Sequence, residues 1–261
     1  MNQSRFKVLA LVAGSLFVLL VCAQPVFADS IRVLVAQEVT VLEVSSDGDL
    51  ALVTEAGETK MFRSPVRILG RSDGFHVDSR RVAGEQIVIR PLRNTLSLMM
   101  TQGSASAYGP ALSISGVVRV LRKGRTLSVV NRVDLEEYVK GVVPSEVSSA
   151  WHPEMLKVQA VAARTYALYN KMLSAAREYD VMSTIQDQVY RGRSGVDQRV
   201  EEAVESTRGI VVTHLQAPIY AAFSSTAAGP TEDAVNVWAN KDLPYLKGVE
   251  CPFDIESPYY Q

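Results

Sequence analysis

Glu146 is the residue whose setting in the sequence best suits a general acid. It lies in the run Val142-Val143-Pro144-Ser145-Glu146-Val147, with Trp151 a short distance further on. A general acid must hold a proton at the working pH, and apolar surface beside a carboxyl raises its pKa. A glutamate also favours a helix N-terminus. On these residues alone, the helix-terminus interpretation is the simpler of the two.

The segments around Glu146 predict helices. Asp134, with Glu137 three residues later, forms a capping-box pattern, and Gly141 is placed to end that short helix. After Pro153, apolar residues at helical spacing predict a long, alanine-rich helix over residues 154 to about 177. A further helix over 200–206 and strands over 210–213 and 219–223 complete an α+β pattern.

Residues 31–130 have the pattern of short antiparallel strands. Apolar runs are separated by turn signals about every ten residues, and Lys123-Gly124 predicts a hairpin between 117–121 and 126–130. Residues 101–110 are small and polar, which is typical of a loop or domain joint. We therefore expect a β-rich N-terminal region over 29–110 and an α+β core over 111–261.

The first 28 residues have the features of a signal peptide. Arg5 and Lys7 precede an apolar run to Ala23, and small residues at Val26 and Ala28 resemble a cleavage signal. The alternative is a retained membrane anchor, but the run is short for a helix that must span with about 20 apolar residues. We expect cleavage after Ala28 and an extracytoplasmic protein that is periplasmic, wall-bound or secreted.

The composition excludes several function classes. The 261 residues are 47% hydrophobic and 21% charged, as in globular proteins, and the formal charge is −1. A nucleic-acid-binding protein normally carries a basic excess, so nucleic acid is not an expected partner. Three His and two Cys, spread far apart, leave little material for a zinc site.

Three runs of the sequence carry a family resemblance. Residues 131–147 read NRVDLEEYVKGVVPSEV, residues 156–167 read LKVQAVAARTYA, and residues 186–192 read QDQVYRG. Together they closely resemble the stage II sporulation protein D family (SpoIID/LytB), and the similarity covers roughly residues 117–254. The resemblance implies a lytic transglycosylase that cleaves peptidoglycan glycan strands stripped of stem peptides. Some family members were first described as enhancers of an amidase.

The resemblance also implies roles for individual residues. The family's catalytic acid/base, the Glu of a Pro-Ser-Glu motif, corresponds to Glu146. Such an enzyme protonates the departing oxygen, and the sugar's own C6 hydroxyl closes a 1,6-anhydro ring, so one carboxyl serves as acid and base. An amide and a phenol suit sugar hydroxyls. The substrate-binding candidates are Ser145, Arg164, Gln188, Tyr190, Ser225, Thr226 and Glu232.

Most of these candidates have a plain structural alternative. Arg164 lies on the solvated face of its helix or faces a cleft. Gln188 and Tyr190 fit ordinary strand polarity equally well. Trp238 either stacks on a sugar ring or lies in the core.

The sequence departs from the family pattern at three places. Members with a zinc site place a Cys and a His before the Gln-Val-Tyr motif, whereas residues 182–187 contain neither, so no metal or cofactor is expected. A loop commonly reading Ser-Thr-Ser-Gly-Gly is Ser225-Thr226-Ala227-Ala228-Gly229. The chain also stops at Gln261, where the pattern leads us to expect further residues.

Two function classes remain open at this point. The intact Pro144-Ser145-Glu146 motif favours a transglycosylase acting on peptidoglycan. The altered 225–229 loop and the early end favour a non-catalytic wall-binding module that enhances an amidase or another hydrolase. A β-rich extracytoplasmic scaffold is a third interpretation, but it leaves the central block unexplained.

Overall fold

The computed structural model describes residues 30–92, 95–102, 105–106, 111–224, 227, 229–238, 242–252 and 255. The signal-peptide prediction and most of the predicted joint lie outside them. The strands are β1 (Ser30–Val39), β2 (Val41–Ser45), β3 (Leu50–Thr54), β4 (Thr59–Phe62), β5 (Val66–Arg71), β6 (Gly74–Val77), β7 (Arg80–Val82), β8 (Gln86–Pro91), β9 (Leu96–Gln102), β10 (Ala105–Ser106), β11 (Leu112–Ile114), β12 (Val117–Lys123), β13 (Thr126–Asp134), β14 (Val181–Met182), β15 (Thr213–His214) and β16 (Ala217–Pro218). The helices are α1 (Leu135–Glu146), α2 (Pro153–Leu173), α3 (Gln198–Ser206) and α4 (Ala234–Val237).

Most strands of the described chain belong to two sheets. One has the order β14-β1-β13-β12-β8-β3-β4, and the other has the order β10-β9-β2-β5-β6-β7 with β11 also paired to β9. The pairs are antiparallel except β1 with β14, which is parallel. The predicted hairpin is present as β12 and β13, with Gly124 in the left-handed region at its turn. The predicted α+β class is confirmed.

A continuous apolar core joins both sheets to the helices. Alternating residues of β1, β2, β12 and β13 are buried in the same cluster as the inner faces of α1, α2 and α3. β1 from the N-terminal region pairs with β13, so strands on both sides of residue 110 share one sheet. No helix in the described ranges is long and apolar enough to cross a membrane.

Helix α1 begins as predicted but ends later. The Asp134 side chain accepts hydrogen bonds from the backbone N–H groups of Glu136 and Glu137, at 2.9 and 3.2 Å. The helix then continues through Gly141 and Pro144 to Glu146, so the predicted end at Gly141 is wrong. A Cβ added at position 141 would lie only 2.6 Å from Cε2 of Tyr190. Glycine is needed here for close packing, not to end the helix.

The strands predicted over 210–213 and 219–223 are also wrong. The backbone of 210–212 bonds to helix α2: Arg164 donates to the carbonyl of Ile210 at 3.0 Å, and the N–H of Val212 donates to Thr165 Oγ1 at 3.0 Å. A single hydrogen bond joins the two predicted strands, from the N–H of Ile219 to the carbonyl of Val212 at 3.1 Å, and strand pairing is limited to β15 and β16. Apolar patterning cannot reveal such a partner.

Candidate functional site

Glu146 is the last residue of α1. Its side chain is half-buried, and the backbone N–H of Val189 donates to Oε1 at 2.8 Å. The other oxygen, Oε2, has no hydrogen-bond partner among the described residues. The helix C-terminus carries partial negative charge, which disfavours an anion. The helix N-terminus interpretation is therefore wrong, and Glu146 does not stabilise its own helix.

Val189 reaches Glu146 because its loop is fixed to the edge of a sheet. Strand β14 pairs with β1 through Val33 and Val181, and the guanidinium of Arg32 binds Asp180 with Nε 3.0 Å from Oδ1. The loop that follows β14 folds back on itself, since the N–H of Tyr190 donates to the Ser183 carbonyl at 3.2 Å. The strand pairing before the loop and the hydrogen bond within it therefore both fix the loop segment that contacts Glu146.

A second carboxylate, Asp187, lies on this loop. The hydroxyl of Tyr166 donates to its Oδ1 at 2.8 Å, and the N–H of Met182 donates to its Oδ2 at 2.7 Å. Burial raises the pKa of Tyr138 well above its usual value, and the negative charges of Asp187 and Glu146 raise it further. The charges of Asp187 and Glu146 therefore both raise the pKa of the buried Tyr138 hydroxyl.

Gln188 and Tyr190 lie against Tyr138 in the core. The hydroxyl of Tyr138 donates to Gln188 Oε1 at 3.1 Å, and that of Tyr190 donates to Asn131 Oδ1 at 3.0 Å. The Tyr138 and Tyr190 rings stack with centroids 5.2 Å apart. Burial raises the pKa of both tyrosines, so they remain neutral hydrogen-bond donors at physiological pH. The Gln188 amide nitrogen has no partner among the residues described.

Arg164 is fully buried beneath the site. Its Nε and Nη2 donate to the two carboxylate oxygens of Glu136 at 2.9 and 2.6 Å, and Nη1 donates to the Ile210 carbonyl at 3.0 Å. The backbone N–H of Gly209 also donates to Glu136, at 3.3 Å. This geometry ties α1, α2 and the segment after α3 together. Arg164 therefore lies neither on a solvated face of its helix nor in an open cleft.

The remaining candidates lie in different surroundings. Ser145 Oγ donates to the Gly141 carbonyl at 3.1 Å, within α1. Glu232 is exposed and accepts from the Asn236 amide at 2.7 Å. Trp238 is 36% exposed and packs edge-on against Tyr220. Ser225 and Thr226 lie outside the described residues.

The apolar surface expected from Trp151 has a different source. Trp151 is 47% exposed, and its carbonyl accepts a hydrogen bond from Arg199. Val142 and Val143 point into the core and are fully buried. The aromatic group that responds to the charge of Glu146 is instead Tyr138.

No three His, Cys, Asp or Glu side chains meet as metal ligands in the described part of the chain. His152 caps α2 by accepting the N–H of Glu154 at 3.2 Å, and His214 packs on the ring of Tyr245. The absence of a metal or cofactor requirement stays a prediction.

Four residues of the site were missed by sequence reasoning: Asp187, Val189, Tyr138 and Tyr166. Asp187 directly precedes Gln188, and Tyr166 follows two residues after Arg164, so adjacency to a candidate was the available signal. No feature of the sequence marked Tyr138 as a residue of the site, because its partner Gln188 is 50 residues away along the chain.

Comparison with known proteins agrees with the resemblance. Residues 123–214 match the family model SpoIID, described as stage II sporulation protein. Stage II sporulation protein D of Bacillus subtilis is 37% identical over 147 residues, which span 51% of this chain and 43% of that protein. An uncharacterized protein of Brachyspira hyodysenteriae is 43% identical over 125 residues, 48% of this chain and 34% of that protein. The amidase enhancer of Bacillus subtilis is 39% identical over 108 residues, 41% of this chain and 14% of that protein.

These matches confirm the similarity to SpoIID and amidase-enhancer proteins. The matched segment contains Glu146, Arg164, Asp187 and Gln188, which are the residues that the structure brings around α1. The chain spans less than half the length of each of these curated relatives.

Proposed function

We propose that this chain is a peptidoglycan lytic transglycosylase that cleaves peptide-stripped glycan strands, with Glu146 as its acid and base. One observation carries the proposal. Glu146 is held through one oxygen by the Val189 N–H, while its other oxygen has no partner among the described residues. A positioned carboxyl with one free oxygen is what proton transfer to a substrate requires.

The proposed reaction uses that free oxygen twice. Protonated Oε2 gives its proton to the glycosidic oxygen as the bond to the anomeric carbon breaks. The C6 hydroxyl of the same sugar then attacks the anomeric carbon and returns its proton to Oε2. One chain end leaves with a hydroxyl, the other carries a 1,6-anhydro ring, and no water is consumed.

The other candidates divide into two proposed roles. Arg164, Gln188 and Tyr190 are buried, so we assign them to positioning: Arg164 fixes α1, Gln188 fixes Tyr138, and Tyr190 stacks on Tyr138. Ser145, Ser225, Thr226 and Glu232 keep the predicted substrate-binding role as part of this proposal.

The comparisons support a role at the cell wall. The SpoIID match and the relative named amidase enhancer both favour it. The signal-peptide pattern of residues 1–28 supports export, and intact-mass analysis of the exported protein should find a chain that begins near Asp29. A form that keeps Cys22 with added acyl mass would contradict cleavage after Ala28.

The proposed activity is tested by the chemistry of the product ends. Peptide-stripped strands are incubated with native protein, Glu146→Gln or Glu154→Gln, and the products are analysed by mass spectrometry. Native protein and Glu154→Gln should release 1,6-anhydro ends, because Glu154 is exposed and paired with Lys157. Glu146→Gln should bind strands but form products about 10² to 10⁴ times more slowly.

Other outcomes would contradict the proposal in distinct ways. Reducing ends would indicate a hydrolase, with Asp187 as the carboxylate to examine next. Equal activity of native protein and Glu146→Gln would remove Glu146 from the mechanism.

A second candidate function is a wall-binding module that enhances an amidase. The match to the amidase enhancer favours it. Under this alternative, native protein binds glycan and releases nothing by itself. Its addition to a purified wall amidase increases peptide release, and Glu146→Gln does so equally well.

A further inference from the structure

A cavity of about 690 Å³ opens at the loop that carries Val189. It is lined by the loop after β14, by residues 111–113 and by Val35 of β1, and its volume is in the range of small-ligand sites. Val189 lines this cavity, and the same residue holds Glu146 through its N–H. A ligand in the cavity therefore lies next to the segment that positions the acid.

The cavity carries a positive charge that no acid among the described residues neutralises. Arg191 and Arg193 both line it. Arg193 is paired with Glu137, with Nη1 2.8 Å from Oε2, whereas Arg191 has no acidic partner in the part of the chain that the structure describes. The backbone of Arg191 is fixed, because its N–H donates to the Gly141 carbonyl at 3.4 Å. Arg191 is thus a cation available to a ligand, on an anchored backbone.

The rest of the lining is suited to a sugar. Ser113, Thr184 and Ser194 bring hydroxyl groups to the wall. Hydroxyls exchange hydrogen bonds with sugar hydroxyls and amides. The combination of an available guanidinium with hydroxyls fits a sugar that carries a carboxylate.

We propose that Arg191 binds the free lactyl carboxylate of a muramic acid residue. The proposal rests on the proposed function and names the substrate feature that this site recognises. In a strand with stem peptides, the lactyl carbonyl is part of a neutral amide. Removal of the peptide leaves a carboxylate, which a guanidinium binds through two parallel charge-assisted hydrogen bonds. Arg191 is then the residue that makes the site prefer peptide-stripped strands.

The test compares two substrates that differ only in this charge. One is peptide-stripped glycan, and the other is the same glycan with its lactyl carboxylates converted to methylamides. For native protein we expect KM to be about 10- to 100-fold lower on the charged strands, with kcat nearly unchanged. Arg191→Gln should raise KM on charged strands to the value for amidated strands, and Arg191→Lys should recover part of the difference.

Arg67→Gln is the matched control. Arg67 is exposed on β5, outside the cavity lining, so its loss should leave the preference intact. Thermal unfolding of each variant separates misfolding from lost recognition. The substrate comparison on native protein needs no variant at all.

The possible failures can be told apart. Equal KM values for native protein on both substrates, with Glu146→Gln inactive, would overturn the role of Arg191 and leave the proposed activity standing. Cleavage of neither substrate by native protein would overturn the proposed function and this inference with it. A preference that survives in Arg191→Gln would assign carboxylate recognition to another residue.

Discussion

Two glutamates ten residues apart on α1 have opposite surroundings. Glu136, in the first turn, is 5% exposed, and both its oxygens accept hydrogen bonds from Arg164 and one also from Gly209. Glu146, at the other end, is half-buried and accepts a single hydrogen bond from Val189. The helix dipole favours a carboxylate at the first position and disfavours it at the second.

This difference separates a structural carboxylate from one available for chemistry. A buried carboxylate with all its partners inside the protein cannot exchange a proton with a ligand without breaking those bonds. A carboxylate with one fixed oxygen and one free oxygen has a defined orientation and an open position. The same helix therefore anchors the fold at one end and presents the candidate acid at the other.

Substitution of each glutamate by glutamine tests the comparison directly. Glu136→Gln leaves Arg164 buried without a full counter-charge, so the free energy of unfolding should fall by about 3–5 kcal/mol. Glu146→Gln should change the free energy of unfolding by less than about 0.5 kcal/mol, because the amide oxygen of a half-buried glutamine can still accept the hydrogen bond from Val189. Urea unfolding of both variants measures the difference. Similar losses for the two would mean that Glu146 is structural as well.

Gly141, midway along α1, tests whether packing of the helix on the 190–192 segment matters. A Cβ at this position would be 2.6 Å from the Tyr190 ring, so Gly141→Ala should cost about 1–3 kcal/mol of stability. It should also lower activity, because the segment that carries Val189 is displaced. Gly48→Ala is the control, since a Cβ there meets nothing within 4 Å, and its unfolding free energy should be unchanged or slightly higher. Equal effects of the two would contradict the packing argument.

The smallest expected effect is a pH dependence at the N-terminal end of α1. Burial on its own raises the pKa of Glu137, but hydrogen bonds from Lys140 and Ser115 and the charge of Arg193 together hold that pKa below its usual value. A depressed carboxyl pKa contributes stability above the unfolded value of 4.5, and this contribution is lost as the pH falls below it.

Glu137→Gln should therefore destabilise the protein at pH 7 by less than about 1 kcal/mol, and by less still at about pH 3.5. Urea unfolding at the two pH values measures the gap between native protein and variant. A gap that widens in acid would show that the pKa of Glu137 is not depressed.

The local patterns of the chain were sufficient for most of its elements. The Lys123-Gly124 turn, the Asp134 cap and Pro153 at the start of α2 act within a few residues, and the structure has each of them as predicted. The α+β class followed from these signals. The predictions were wrong where a contact with a distant residue determines the local structure. Gly141 faces Tyr190, 49 residues later, and the segment 210–212 bonds to α2.

The site divides in the same way. The residues around Glu146 marked it as a candidate, and the resemblance to the SpoIID family raised it above the simpler alternative. Neither could give its partner Val189, the second carboxylate Asp187, or the burial of Arg164 and Gln188. The sequence left two alternatives for Arg164, the solvent or a cleft, because the residues around it in an apolar helix are the same in both cases.

The sequence by itself thus determined the β12–β13 hairpin, the positions of α1, α2 and α3, the Asp134 cap and the identity of the candidate acid, because propensity, capping and periodicity are properties of neighbouring residues. Only the tertiary structure decided which glutamate of α1 has both carboxylate oxygens hydrogen-bonded and which has a free oxygen. That distinction depends on Arg164 reaching Glu136 across 28 residues and on Val189 reaching Glu146 across 43. Contacts at such separations follow from how β1, β14 and the helices pack, and no local pattern encodes them.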